Sequence, residues 1–481
     1  MWDLAIKNGT CVTSTESFKA DIYVKDGKIA AITTEDLGLS KETLDATGKK
    51  VYAGFIDTHV HSRDGGALHK ETFAHSTRGA AMGGITTVVE MPNAVPPVCN
   101  VENFKAQKAN LSSKAFVDFA MWALCVGDLN NKDLLELDKY GVAGYKFFWG
   151  YALKKSNYNL IYNFDPNDPD VFPPLDDGQV YGIFETVAET GKLLGIHAEN
   201  SALIRRLTDR IKPEEYATEY EALLACRPNV CEETVVQTAI SFAKVTGCHL
   251  HILHTSAKET VDLVDAAQKK GLKVTAETCP HYLTLTKDDF KRVGPMIKGY
   301  PPVREKADQQ RLWEGLRAGI LSHVCSDHAP HTAEEKSGSL FKIPSGMCTI
   351  ETLVPLMTDS VNKGLITEND IARILSEKPA ELFGLDHKKG FLRVGMDADI
   401  TLIDYDYEET IDINRFQSVS KVSAFNGFKL KGYPVATVLR GHIVMKDRKL
   451  VGERLGEFVA AHPAKEELKR KDTVHSVNPL R

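Results

Sequence analysis

Residues 54–61 read GFIDTHVH, a short apolar run that turns polar at its C-terminal end. Seven runs of the same kind follow: ITTVVEM (85–91), FAMWALC (119–125), AGYKFFW (143–149), LLGIHAE (193–199), HLHILHTS (249–256), KVTAETC (273–279) and SHVCSDH (322–328). Amphipathic stretches such as VENFKAQKANLSSK and DGQVYGIFETVAETGK come after most of them. That alternation is expected of strands that each hand over to a helix. Eight such units in series predict an α/β fold, a closed parallel (β/α)8 barrel of the TIM type over residues 54–385.

The flanks have a different texture. LAIKNGTCV and ADIYVKDGKIAAI before the barrel, and FLRVGMDADITLID and TVLRGHIVMKDRKLV after it, read as short strands, with Asn8-Gly9 and Asp26-Gly27 as hairpin dipeptides. Residues 1–53 and 386–450 are therefore expected to share one small β-sandwich built from both ends of the chain, with 451–481 a charged extension. Residues 151–175, after the fourth run, carry four prolines and no helical periodicity. A connection of that length reads as a substrate lid or, alternatively, as a surface excursion or subunit contact.

Composition narrows the partners. The 481 residues are 43% hydrophobic and carry a net charge of −6, so no positive field draws in nucleic acid or an acidic membrane, and a small molecule is the expected partner. The opening MWDLAIKNGTCV lacks a signal-peptide apolar region and no run of about 18 apolar residues occurs, so the expected location is the cytoplasm. Nine scattered cysteines without a C-x-x-C pair read as buried reduced thiols.

The chemistry sits at the run ends, where a barrel assembles its active site. His59 and His61 stand two apart, so on a strand they share a face with Asp57 and can grip one metal ion. His197, His254 and Asp327 close the fifth, sixth and eighth runs, and Lys146 lies inside the otherwise apolar fourth. Each histidine alone reads as a hydrogen-bonded core residue, but four imidazoles and a carboxylate from separate strands read as a metal site. A buried lysine either pairs with an acid or loses its charge. A neutral amine can take up carbon dioxide, and the resulting carbamate can bridge two cations. His249 and His251 read as core or solvent-facing residues, His281 as structural, His331 as undecided, and Gly83-Gly84 and Gly346 as backbone turns near the site.

Taken in order, GFIDTHVH, AGYKFFWGY, GIHAEN, HILHTS, ETCPHYL, PPVRE and SDHAPH resemble the cyclic amidohydrolases: hydantoinases, dihydropyrimidinases, allantoinases and dihydroorotases. The resemblance covers about residues 50 to 400. It implies that His59, His61, Lys146 and Asp327 hold one divalent ion, while carboxylated Lys146, His197 and His254 hold a second, zinc being the usual metal. It further implies Asp327 as general base and then acid, and a homo-oligomer of two or four chains.

For the substrate, Tyr151 stands at the spacing where hydantoinase-type members carry an oxyanion-binding tyrosine. Gly299-Tyr300 replaces their Cys-Ser, and Ile343-Pro344-Ser345-Gly346 replaces their IPNG, leaving Tyr300 and Ser345 as substrate contacts of altered chemistry. Arg63, two residues after His61, resembles the arginine with which dihydroorotases clamp a carboxylate. The resulting expectation is hydrolysis of a hydantoin or dihydropyrimidine ring to an N-carbamoyl amino acid, with allantoinase second and dihydroorotase third. A non-enzymatic scaffold of this fold needs neither Lys146 nor Asp327, and a mononuclear deaminase lacks the strand-four lysine.

Overall fold

The computed structural model describes residues 1–161, 164, 165 and 167–462. The eight runs form strands β1 (Phe55–Val60), β2 (Ile85–Glu90), β3 (Asp118–Leu124), β4 (Gly144–Phe148), β5 (Leu193–His197), β6 (His249–Ile252), β7 (Val274–Thr278) and β8 (His323–Val324). Each pairs in parallel with the next, and a bridge from Val60 to His328 closes the ring. β1 to β5 are buried along their whole length because the interior fills one face and helices cover the other. This is the predicted (β/α)8 barrel.

The helices follow their local signals. Asp177–Thr190 begins with a capping box between Asp176 and Gln179 and ends at Gly191 in the left-handed region, φ 74°. Val180, Ile183, Phe184 and Val187 form its buried stripe. Below the site, Trp122 of β3 plugs the barrel interior and donates its indole N–H to the Thr58 carbonyl at 2.9 Å. Side chains at Gly144 and Gly195 would start 2.9 and 2.8 Å from that indole, so both strands need glycine there. Truncating this plug to alanine costs about 3–5 kcal/mol.

Both chain ends build two further sheets. Trp2–Lys7, Asp21–Lys25, Lys28–Thr33 and Ser40–Asp45 form one. Thr10–Val12, Ser17–Lys19 and Lys50–Ala53 join Ile400–Thr410, Lys429–Leu439, His442–Lys446 and Lys449–Leu450 in the other. Leu4, Ile22, Val24, Val51, Ile400, Leu402 and Val438 share the core of this unit.

Three expectations need correction. Asp26-Gly27 turns a hairpin with both φ values positive, but Asn8-Gly9 does not: the strands it joins belong to different sheets, and it carries the chain across the sandwich edge. Gly83-Gly84 lies away from the site, where Gly84 packs against Thr401 and Pro434 of the terminal sheet. Asp327 does not end a strand, since β8 stops at Val324 and Asp327 has φ 47°. Residues 151–175 hold a three-stranded sheet of Ala152–Lys154, Leu160–Ile161 and Val171–Phe172, short pairs with no sequence periodicity to announce them. Within that expected lid, Tyr162, Asn163 and Pro166 lie outside the described residues, as do residues 463–481 of the expected extension. Residues 456–461 lie on the barrel, with Gly456 N–H donating to Ala115 O and Val459 N–H to Phe119 O.

Candidate metal centre and substrate cavity

Three of the four histidines at the mouth of the barrel, His59, His61 and His197, are each turned by a second group. His59 Nδ1 donates to Glu277 Oε1 at 2.7 Å, which leaves its buried Nε2 as a lone pair with no hydrogen-bond partner. His61 Nδ1 donates to Asn93 Oδ1 at 2.9 Å, turning Nε2 towards Asp327 Oδ1 at 3.6 Å. The same Asp327 oxygen is 3.4 Å from His59 Nε2. His197 is tied through the other nitrogen, Nε2 to Glu199 Oε2 at 3.0 Å, so its Nδ1 faces His254 Nε2 at 3.1 Å. Between these two groups lies Lys146, fully buried in the middle of β4, its Nζ without a hydrogen-bond partner and 4.3 Å from the Phe148 ring centroid.

These donors fit divalent ions. Buried polar atoms left unpaired are costly, and here they are His59 Nε2, His254 Nδ1 and Lys146 Nζ, imidazole and amine groups able to ligate such ions. His59, His61 and Asp327 bring one ligand atom each within 4.8 Å of the others. Burial pushes the Lys146 amine down to about 7 despite the opposing pull of Asp327 and Glu277. Burial also drives His61 and His254 well below the ordinary histidine value, so both are neutral and able to ligate. It raises the Asp327 carboxyl. Glu277 goes the other way: burial opposes its charge, but hydrogen bonds from His251, His323 and His59 hold it ionised. His254 (φ 37°), Asp327 (φ 47°) and Arg63 (φ 59°) all sit in the left-handed region. For residues other than glycine that conformation is strained, and it aims these three side chains inward from the loops.

Above the donors opens a cavity of about 590 Å³, lined among others by Arg63, Asn93, Tyr151, Tyr300, His331 and Ser345. Tyr151 meets the His197 ring edge-on at 5.3 Å, and burial raises its phenol pKa, so it stays protonated at neutral pH and can donate a hydrogen bond. Arg63 donates Nε to Pro330 O and Nη2 to His331 Nε2, both at 3.2 Å, which places His331 beside the arginine. Ser345 lies on a loop whose next residue, Gly346, has φ 116° and would place a side chain 2.5 Å from Ala329 O. His281, read as structural, is buried against Tyr282, with its Nδ1 lacking a hydrogen-bond partner and a ring nitrogen within 4.8 Å of ligand atoms of Cys279 and Asp327.

The model of the amidohydrolase family matches residues 51–444. The chain belongs to this family. An L-hydantoinase of Paenarthrobacter aurescens is 36% identical over 467 residues, 95% of this chain and 98% of the relative. An allantoinase of Bacillus licheniformis is 34% identical over 469 residues, 95% and 99% of the two chains. The solved L-hydantoinase (dihydropyrimidinase) from Arthrobacter aurescens superposes with a TM-score of 0.89 at 34% identity, covering 96% of this chain and all of that one.

Sequence reasoning missed the partners that aim the donors in this amidohydrolase. Glu277 was visible in ETCPHYL, and in β7 it shares a face with Thr275 by simple alternation, but nothing local ties it to His59, 218 residues away. Glu199 follows His197 by two residues, a signal that was available. Asn93 carries no local signal. His251, read as a core or solvent-facing residue, is a buried member of the Glu277 cluster, its Nε2 3.4 Å from Oε2.

Proposed function

We propose that this amidohydrolase opens the ring amide C–N bond of a cyclic ureide or imide, of hydantoin or dihydropyrimidine type, releasing an N-carbamoyl amino acid. In this reading His59, His61, Lys146 and Asp327 hold one divalent ion, Lys146, His197 and His254 hold the second, and Lys146 carries a carboxyl group on Nζ. Zinc is the expected ion. The observation that carries the reading is Lys146 Nζ, fully buried, without a hydrogen-bond partner and lowered to about 7, so that at neutral pH much of it is the free amine, whose lone pair attacks the carbon of carbon dioxide. When bound, the ions supply Lewis acidity and lower the pKa of water.

The chain's own residues do the rest. Asp327, its carboxyl raised by burial, takes the proton of the attacking water and returns it to the departing ring nitrogen. The Tyr151 phenol donates to the carbonyl oxygen as negative charge develops there. Ser345 and Tyr300 face the ring from the cavity wall, and Phe148 and the imidazoles keep bulk water from the floor.

Allantoin is the second candidate ring, supported by the allantoinase relative. One observation favours a third reading, a ring bearing a carboxylate as in dihydroorotate: Arg63 lines the cavity beside His331 and Lys70. A cytoplasmic location and an assembly of two or four chains belong to the same reading. Among the described residues no helix is long and apolar enough to cross a membrane.

The test is a turnover panel of hydantoin, dihydrouracil, allantoin and dihydroorotate, in both enantiomers where they exist, with the metal content measured alongside. The expected outcome is turnover of a neutral ring with about two ions per chain, both lost in Lys146→Ala. Full activity with undiminished metal in that variant refutes the bridge.

A further inference from the structure

Arg227 directly follows the helix Glu219–Cys226 and is only 2% exposed. A charged side chain so buried persists only with partners. Its Nη1 donates to Glu199 Oε2 at 2.5 Å, and that same oxygen accepts from His197 Nε2 at 3.0 Å. On its other side the guanidinium carbon lies 3.4 Å from the centroid of the Tyr300 ring, a stacked cation–π contact. The Arg227 backbone is anchored in turn: its carbonyl accepts from Arg304 Nη1 at 2.9 Å, and Arg304 donates Nε to Ser256 Oγ at 2.8 Å.

Tyr300 is a partition. It lines the substrate cavity and also a neighbouring cavity of about 310 Å³, whose wall includes Leu223, Phe341 and Arg227 itself. What stands behind the Tyr300 ring therefore decides where the inner wall of the substrate cavity lies. A planar guanidinium stands there, and its other edge is committed to the carboxylate that orients His197.

We propose that Arg227 is a positioning residue that couples the metal centre to the substrate wall. Through Glu199 it keeps the His197 ring in the tautomer and rotation that present Nδ1, and through its flat face it holds Tyr300 in place. This rests on the reading above in which His197 is a metal ligand. Arg227→Met leaves Glu199 a buried carboxylate without its cation and frees the imidazole it orients. Arg227→Lys keeps a positive charge for Glu199 but replaces the plane by a point charge that cannot stack.

Zinc affinity is measured by chelator competition, and kcat and KM with hydantoin. Arg227→Met is expected to lower zinc affinity about 10- to 100-fold, as loss of support to a ligating histidine does, and to raise KM. Arg227→Lys is expected to keep zinc affinity while raising KM several-fold, and Tyr300→Leu to raise KM alone. A merely structural arginine lowers the melting temperature without this split. Arg227→Met that is folded, with native zinc affinity or native KM, overturns the proposal. Where that variant does not fold, Arg227→Lys with unchanged KM overturns it. Failure of the underlying reading is told apart on the unsubstituted protein, which would then not hold two ions or not turn hydantoin over.

Discussion

Glu277 binds four side chains with one carboxylate: His59 Nδ1 at 2.7 Å, His323 Nε2 at 3.0 Å, Thr58 Oγ1 at 3.1 Å and His251 Nε2 at 3.4 Å. An amide in its place offers a single accepting oxygen and two donor hydrogens, so it cannot satisfy several imidazole N–H groups at once. Glu277→Gln is therefore expected to weaken metal binding about 10- to 100-fold in chelator competition, since the His59 ring is no longer held with Nε2 inward. Native affinity in that variant would remove the orienting role. Arg63 makes a separate prediction. It lines the cavity with Nη2 on His331, so Arg63→Ala should raise KM for carboxylate-bearing rings far more than for neutral hydantoins. An equal effect on both classes rules out carboxylate reading.

At the scale of an element, the loop carrying Ser345 is pinned from below by two buried lysines. Lys298 Nζ donates to Leu340 O and Ile343 O, and Lys336 Nζ to Lys298 O at 3.2 Å and Pro344 O at 3.1 Å. Burial, followed by the charge of Lys298, lowers Lys336 from 10.5 to about 7. Between those two values the unfolded chain binds a proton that the folded chain has released, so stability rises with pH, by at most about 1.4 kcal/mol per unit. Below pH 7 the fold bears the full cost of a buried ammonium. Lys336→Met should therefore be most favourable relative to the unsubstituted protein near pH 6, with the advantage shrinking towards pH 10. Urea midpoints at the two ends of this window decide it, and a pH-independent difference excludes the linkage. The carbonyl clamps were invisible in the sequence, because a lysine that caps loop carbonyls looks the same as one in solvent. The strands were legible because their signal is local.

At the scale of the whole molecule, barrel and terminal sandwich meet at a buried charge cluster. Lys389 Nζ reaches Asp118 at 2.5 Å, Asp399 at 2.7 Å and Asp397 at 2.9 Å, and Arg440 adds a second cation on Asp118. Asp118 opens β3 of the barrel, whereas Asp397 and Asp399 lead into the sandwich strand Ile400–Thr410. Three carboxylates so close could hold a metal ion, but Lys389 takes the centre. Lys389→Met leaves them mutually repelling without that cation and should cost about 3–5 kcal/mol, read as a lower denaturant midpoint. An unchanged midpoint would mean that the two units do not depend on this clamp.

By itself the sequence determined the eight strands, the sandwich at the two ends and which side chains gather at the barrel mouth. Strand alternation and the end of an apolar run are properties of neighbouring residues, so His59, His61, Lys146 and His197 could be placed without coordinates. Only the tertiary structure decided which nitrogen of each imidazole faces inward, what holds Tyr300, and how Asp327 arrives on a left-handed loop instead of a strand end. Those features depend on hydrogen bonds and packing between groups far apart in the chain, and no local periodicity encodes such a pairing.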